Sequence, residues 1–206
     1  MKLSRTLFVA SLVASAAFGA LAPSPEAAKP LASGAKAPDA AVLNTDGSSA
    51  KLSSLIAGKP TILIFFRGGW CPFCSRHLAA VGEHELDLRA LGYQIIGLSA
   101  EGPEKLTPTA EANHVRYRLV SDKAADAAQA YHVGYRLSPD RGPAYKENGI
   151  ELTPAPDGDG FWLPVPTAFI VDRHGVIRFV YSNADPSIRI SADELVAEAK
   201  KAADAK

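Results

Sequence analysis

The stretch "PTILIFFRGGWCPFCSRH", residues 60–77, contains the only two cysteines of the chain, Cys71 and Cys74. Its first seven residues form a continuous apolar run, whose length and flanks predict a central strand covered on both faces. A helix is predicted to begin at Pro72, because proline is tolerated at the first helical position. The stretch therefore predicts a buried strand that leads through a short loop into a helix, with the cysteine pair at the junction.

The predicted junction gives the two cysteines different chemistry. Cys71 is expected near the N-cap of the helix, where free backbone N–H groups and the helix dipole favour a thiolate and lower the pKa below the usual ~8.5. Arg67 and Arg76 add positive charge nearby. Cys74 lies one turn further and is expected to be more buried. We therefore expect Cys71 to attack and Cys74 to resolve by closing a disulfide.

Two other readings of the pair stay open. His77 follows Cys74 by three residues and could join the cysteines as a metal ligand, but no second cysteine cluster completes a closed tetrahedral set. A purely structural disulfide would enclose only two residues and would constrain the unfolded chain little. Redox chemistry is favoured, and neither a metal nor another cofactor is expected.

The first 22 residues have the layout of a secretory signal peptide. "MKLSR" is a short basic head, "LFVASLVASAAF" is an apolar run, and "GALA" supplies small residues that predict cleavage after Ala22. The alternative is a membrane anchor, but the apolar run is shorter than the ~20 residues that a spanning helix needs. We expect an exported protein, periplasmic or secreted, whose mature chain has no membrane span and works in an oxidising compartment.

The composition is that of a soluble globular protein. The 206 residues include 22 basic and 22 acidic side chains, and 47% are hydrophobic. Such a balance gives no reason to expect a nucleic-acid partner or an anionic membrane surface. Residues 23–35 are rich in Pro, Ala and Ser and predict a flexible leader. Residues 36–206 fit one domain of ordinary size.

Strands and helices alternate through this domain. "TDG" between Leu43 and Leu52 predicts a hairpin turn, and residues 93–100 predict a second buried strand. The helix that begins at Pro72 is expected to stop at Gly92, and later helices are expected to break at Pro108 and to end at Gly134. Residues 138–164 are expected to be irregular, with one helical turn around "PAYKENG".

The end of the chain predicts two further elements. "PTAFIVDRHGVIRFVY", residues 166–181, predicts an antiparallel hairpin that turns at "DRHG". Ser191 and Glu194 have the spacing of a capping box and predict the start of the last helix. Together the elements predict an α/β sheet with helices on both faces.

Several motifs resemble a known family. "RGGWCPFC" at a strand-to-helix junction resembles the thioredoxin superfamily. Within it, "GAKAPDAAVLNTDG", "ILIFFRGGWCPFCSRHLAAV", "IIGLSAEGPEKL" and "LPVPTAFIVDRHGVIRFVY" resemble, in order, the alkyl hydroperoxide reductase/thiol-specific antioxidant (AhpC/TSA) family, and in it the peroxiredoxin-like branch with a CPxC pair. The resemblance covers about residues 35–200. It implies a thioredoxin-like fold with a central mixed sheet flanked by helices.

The resemblance also implies a function. Cys71 would reduce hydrogen peroxide or an organic hydroperoxide and become a sulfenic acid, Cys74 would form a disulfide with it, and a thioredoxin-like dithiol would recycle the pair. The main alternative is a periplasmic thiol:disulfide oxidoreductase that acts on protein disulfides. A non-catalytic module that binds metal or docks a partner is a third hypothesis.

Four residues besides the cysteines are candidates for binding or activating the substrate: Arg67, Trp70, Pro166 and Arg189. Pro166 matches the superfamily's proline, expected in the cis form and facing the cysteines. Arg189 matches a family arginine before the last helix, although it could instead form a surface ion pair with Asp193 or Glu194. Trp70 is expected as a lid over the cysteines, with simple packing as the alternative.

The chain also departs from the family pattern. Gly68 stands three residues before Cys71, where the family has a threonine that positions the peroxide. Pro166 stands where the family has an active-site arginine. We expect Arg67 to supply the missing charge.

Overall fold

The computed structural model describes residues 19–204, so the predicted basic head and apolar run of a signal peptide lie outside the described residues. The strands in this part of the chain are β1 (Ala41–Leu43), β2 (Ser49–Lys51), β3 (Thr61–Phe66), β4 (Gln94–Ser99), β5 (Arg118–Ser121), β6 (Gly134–Leu137), β7 (Phe161–Pro164), β8 (Thr167–Val171) and β9 (Ile177–Ser182). The helices are α1 (Leu52–Ile56), α2 (Pro72–Glu83), α3 (Glu85–Ala90), α4 (Leu106–Ala112), α5 (Asp126–Ala130), α6 (Gly142–Glu147) and α7 (Ala192–Asp204).

Seven strands form one mixed sheet in the order β2-β1-β5-β4-β3-β8-β9. The strands β3, β4 and β5 run parallel, and β8 pairs antiparallel with β3. Because β3 and β4 are parallel, the residues that follow them meet at one end of the sheet, where β8 begins. This end is the expected place for a ligand site in an α/β sheet.

The predicted central strand is confirmed, since all six residues of β3 are buried. Its side chains alternate between two hydrophobic cores, as the period of two in a strand requires. Leu63 and Phe65 pack on one face, with Trp162 and Tyr131. The other face carries three β3 side chains and the helices α2, α3 and α7. The predicted α/β sheet with helices on both faces is therefore confirmed.

Three helix predictions need correction. The helix that begins at Pro72 does not run on to Gly92, because it ends at Glu83 and α3 begins after His84. Pro108 does not interrupt α4, because it lies in the first turn, where its missing N–H leaves no hydrogen bond unmade. The helix expected to end at Gly134 is α5, which already ends at Ala130, and Gly134 instead begins β6.

Two segments expected to be irregular or flexible are ordered against the domain. In residues 138–164, α6 confirms the helical turn predicted around "PAYKENG", whereas β7 was not predicted and pairs with β6 in a second, two-stranded sheet. In the predicted leader, the Leu31 N–H donates to Tyr131 O and the Gly34 N–H donates to Ile177 O. These contacts, together with the partly buried side chains of Ala28, Leu31 and Ala35, pack residues 23–35 along the body of the domain.

Both predicted turns and the predicted cap at the end of the chain are confirmed. The hairpin β1–β2 closes around the "TDG" turn, and β8–β9 closes around "DRHG". The Ser191 hydroxyl donates to the Glu194 carboxylate, and the Glu194 N–H donates back to Ser191 Oγ, which completes the capping box of α7. Within residues 19–204, no helix has the length and apolar character that a membrane span requires.

Candidate active site

The cysteine pair lies at the end of the sheet where β3 leads into α2. Cys71 is the N-cap residue of α2, with an extended backbone, and Pro72 is the first helical residue, as predicted. The Cys71 N–H donates to Gly68 O at 3.2 Å, which closes a tight turn, and the Ser75 N–H donates to Cys71 O at 3.0 Å. Both cysteines are present as free thiols. The local sequence therefore places the first sulfur at the positive end of the helix.

Burial does not distinguish the two cysteines as expected. Each is only 1% exposed, so Cys71 is enclosed as fully as Cys74. Both belong to the hydrophobic core on the α2 side of the sheet, against which Trp70 and Phe73 also pack. The difference between them is electrostatic.

The pKa of Cys71 is lowered to about 5, chiefly because the Cys74 thiol donates a hydrogen bond to the Cys71 sulfur. The Cys74 backbone N–H and the charges of Arg67 and Arg189 act in the same direction, and burial opposes them. The pKa of Cys74 is raised, because its thiol is the donor in that hydrogen bond and because it is buried beside the Cys71 thiolate. Cys71 is therefore the sulfur that ionises at neutral pH, and Cys74 stays protonated.

Of the two arginines expected beside Cys71, Arg67 is the one whose charge lowers the pKa of that thiol. It is 9% exposed, its Nη2 donates to the hydroxyl of Tyr145 at 2.6 Å, and its guanidinium lies 4.8 Å from the ring centroid of Trp70. Arg76 lies elsewhere, on the exposed side of α2, with its guanidinium 4.9 Å from the ring centroid of Phe73. The charges that lower the pKa of Cys71 are those of Arg67 and Arg189.

Arg189 reaches the pair from the segment before α7. Its Nη2 lies 3.5 Å from the sulfur of Cys74. The alternative of a surface ion pair is not realised, since no carboxylate among residues 19–204 lies within 4.0 Å of Arg189, and Glu194 serves the capping box instead. Arg189 thus holds a positive charge beside the Cys74 sulfur.

His77 lies one turn after Cys74. Burial lowers the pKa of His77 to about 4, and the charge of Arg189 acts in the same direction. The imidazole is therefore neutral at physiological pH. Its Nε2 is buried and has no hydrogen-bond partner among the described residues. Across residues 19–204, no group of three or more His, Cys, Asp or Glu side chains is placed to hold a metal ion.

The loop before Cys71 explains why a glycine replaces the expected threonine. A Cβ on Gly68 would clash with Trp70 Nε1 and would lie 2.8 Å from both Trp70 Cδ1 and Glu101 Cδ. The indole of Trp70 therefore occupies the space that a side chain at position 68 would need. Trp70 also packs edge-on against Tyr145, with ring centroids 5.6 Å apart.

The same loop is fixed by side chains from two neighbouring elements. The Gly69 N–H donates to Glu101 Oε2 at 2.6 Å, and the Ser75 hydroxyl donates to Gly69 O at 3.0 Å. Burial raises the pKa of the Glu101 carboxyl, while the hydrogen bond from Gly69 opposes that rise. Glu101 follows β4, so its place beside the residues that follow β3 is a consequence of parallel pairing.

Pro166 lies at the start of β8, buried, and lines a small cavity with Phe65, His77 and Arg189. The prediction of a cis bond before Pro166 is wrong, because no peptide bond in the described part of the chain is cis. The Val165 N–H donates to Val133 O at 2.7 Å, which fixes the approach to the proline from the second sheet.

Two open clefts border the cysteine loop. One, of about 530 Å³, is lined by residues that include Gly69, Trp70 and Glu101. The other, of about 320 Å³, lies against Phe73, His77 and Arg189. The predicted candidates Arg67, Trp70 and Arg189 thus lie beside the pair, and Pro166 shares a cavity with Arg189. Tyr145 and Glu101 join them without having been predicted.

Comparison with known proteins finds a matching family model and peroxiredoxin relatives. A model of the AhpC/TSA family matches residues 33–180. The chain is 27% identical to peroxiredoxin Bcp of Escherichia coli (strain K12) over 94 residues, which are 46% of this chain and 60% of the relative. It is 24% identical to chloroplastic peroxiredoxin Q of Triticum aestivum over 150 residues, 73% of this chain and 58% of the relative. The matches span about three fifths of the length of these curated relatives.

The fold is similar to that of solved peroxiredoxins. The crystal structure of reduced Prx3 from Vibrio vulnificus in complex with H2O2 has a TM-score of 0.66 and 21% identity, over 82% of this chain and 99% of that chain. Peroxidoxin BcpB from Mycobacterium tuberculosis has a TM-score of 0.64 and 19% identity, over 82% of this chain and 96% of that chain. The central mixed sheet with flanking helices is thus the thioredoxin-like fold of peroxiredoxins.

Proposed function

Because the chain belongs to the AhpC/TSA family, as its sequence predicts, we propose that it is a thiol peroxidase that reduces hydrogen peroxide or organic hydroperoxides. The observation that carries the proposal is the state of Cys71. Its sulfur lies at the start of α2 with a pKa lowered to about 5, so it is a thiolate at neutral pH, and it is the thiolate that attacks.

In the first step, the Cys71 thiolate attacks one oxygen of the peroxide and the O–O bond breaks. The sulfur becomes a sulfenic acid, and the other oxygen leaves as water or an alcohol after it takes up a proton. Negative charge moves from the sulfur to the leaving oxygen during this step. The guanidinium groups of Arg67 and Arg189 favour the Cys71 thiolate and provide positive charge for that oxygen.

In the second step, the Cys74 sulfur attacks the sulfenic acid and water leaves as the disulfide forms. The two residues lie one helical turn apart, so the disulfide can close without unfolding of α2. Arg189, at 3.5 Å from the Cys74 sulfur, favours the thiolate that this step requires. A thioredoxin-like dithiol then supplies two electrons and two protons and restores both thiols.

The alternative, a thiol:disulfide oxidoreductase, is favoured by one observation. Gly68 leaves no hydroxyl at the position where the family holds a peroxide, and a two-residue spacing also suits disulfide exchange. The burial of Cys71 favours the peroxidase, because a sulfur that is 1% exposed is reached more easily by a small peroxide than by a protein disulfide.

One experiment separates these two functions. Pre-reduced wild type, Cys71→Ser and Cys74→Ser are compared in two assays, peroxide loss and reduction of insulin disulfides. A peroxidase removes peroxide faster than the Cys71→Ser variant and reduces insulin poorly. The opposite pattern would assign the chain to the oxidoreductases. Zinc or copper that copurifies in stoichiometric amount would favour the metal-binding module.

We also propose that the protein is exported and that the mature chain begins at Pro23. The proposal rests on the basic head, the apolar run and the small residues up to Ala22. The Ala22 N–H donates to Gly134 O at 2.9 Å, and Ala22 O accepts from the Arg136 N–H at 2.8 Å, so cleavage would remove both hydrogen bonds. N-terminal sequencing of protein from the periplasm or medium tests this, and a cytoplasmic protein that retains Met1 would contradict it.

A further inference from the structure

Tyr145 connects the segment 138–164 to the active site. It lies in α6, a helix that has no buried residue, and its own side chain is partly buried. The hydroxyl accepts a hydrogen bond from Arg67 Nη2 at 2.6 Å, and the ring packs edge-on against Trp70 at 5.6 Å. Tyr145 therefore contacts two of the residues that border Cys71.

The guanidinium of Arg67 has few other partners. It is buried, and its Nε has no hydrogen-bond partner among the described residues. Within residues 19–204, the Arg67 side chain donates its hydrogen bond to the Tyr145 hydroxyl. The face of the Trp70 ring supplies the second contact of the guanidinium. A buried donor that loses its acceptor bears the cost of desolvation. Without the hydroxyl, the guanidinium is expected to turn toward water.

We propose that Tyr145 is a positioning residue, whose hydroxyl and ring hold the Arg67 guanidinium beside the Cys71 sulfur. Its effect on peroxide reduction rests on the proposed function, but its effect on the ionisation of Cys71 does not. The segment 138–164 thereby contributes to the active site a side chain that lies 78 residues from Arg67 in sequence.

The test is Tyr145→Phe, which removes the hydroxyl and keeps the ring against Trp70. The first readout is the pH titration of the Cys71 thiolate by its ultraviolet absorbance, with Cys71→Ser as the baseline. We expect the titration midpoint to rise, because the positive charge that favours the thiolate moves away. The second readout is the rate constant for reaction with peroxide, which we expect to fall about tenfold.

The role of Arg67 is isolated by repeating the change in an Arg67→Met background. There Tyr145→Phe is expected to change neither the midpoint nor the rate, since the group that it positions is gone. Tyr93→Phe serves as the matched control, because Tyr93 precedes β4 at the opposite end of the sheet.

Two outcomes would overturn the proposal. One is an unchanged or lowered Cys71 midpoint in Tyr145→Phe. The other is an equal effect of Tyr145→Phe with and without Arg67, which would mean that the tyrosine only packs α6 against the domain. A wild type that removes no peroxide would instead refute the proposed function, and the midpoint would still decide the role of Tyr145.

Discussion

Gly68→Ala is the substitution that most sharply tests the packing of the active-site loop. Gly68 does not have a positive φ, so alanine adds no backbone strain. The added Cβ would clash with Trp70 Nε1 and would lie 2.8 Å from Trp70 Cδ1 and from Glu101 Cδ. Cβ atoms in proteins do not approach other atoms this closely, so the indole and the Glu101 carboxylate must move. The loop that leads to Cys71 is expected to move with them.

The expected cost is that of overpacking a buried site, about 1–3 kcal/mol. For a chain of this size, each kcal/mol lowers the melting temperature by about 2–4 °C. Gly82→Ala is the matched control, on the same helix as the cysteines. Its Cβ would meet nothing closer than His114 O at 3.9 Å, so alanine should stabilise α2 by about 0.5–1 kcal/mol.

Thermal unfolding of both variants, followed by circular dichroism, measures the difference, and the peroxide assay measures its effect on the site. We expect Gly68→Ala to lower both stability and rate, and we expect the loss of stability to shrink in a Trp70→Ala background. A melting temperature of Gly68→Ala equal to or above that of the wild type would refute this packing of the loop. An equal loss with and without the indole would also refute it.

Further predictions concern ionisable groups. The Cys71 thiolate should titrate with a midpoint near 5 in the reduced wild type, and Arg189→Met should raise that midpoint; a midpoint near the usual ~8.5 would contradict the site electrostatics. Asp122 is fully buried and accepts hydrogen bonds from Ala127 N and Ala128 N, and burial raises its pKa to about 8. The folded chain then binds a proton that the unfolded chain has released, so stability should fall as pH rises from about 4 to about 8. Denaturant titration across this pH range measures the free energy of unfolding. Asp122→Asn should lack the part of the decline with pH that Asp122 causes in the wild type. Identical pH profiles of the two proteins would contradict the raised pKa of Asp122.

The sequence predicts the centre of this fold because its signals there are local. The apolar run of β3 and the proline at the first position of α2 are each read within a few residues, and together they fix Cys71 at the helix start. Arg189 was predicted through the family resemblance, and the structure brings it to Cys74.

The remaining site residues depend on contacts between distant parts of the chain. Tyr145 meets Arg67 across 78 residues, and Glu101 meets Gly69 across 32, so no spacing along the sequence indicates either contact. Glu101 could have been considered, since it follows a strand parallel to β3. Tyr145 lies in a segment whose Pro, Gly and Asp content predicts irregular structure, and composition gives no sign of its contact.

The proposed function depends on the oxidation of Cys71 itself by peroxide. It is tested most directly in reduced Cys74→Ser, where a sulfenic acid cannot pass into the Cys71–Cys74 disulfide and can be trapped with a dione reagent. We expect one trapped adduct, on Cys71, for each peroxide consumed in the first turnover. Peroxide loss no faster than that of Cys71→Ser, with no adduct on Cys71, would contradict it.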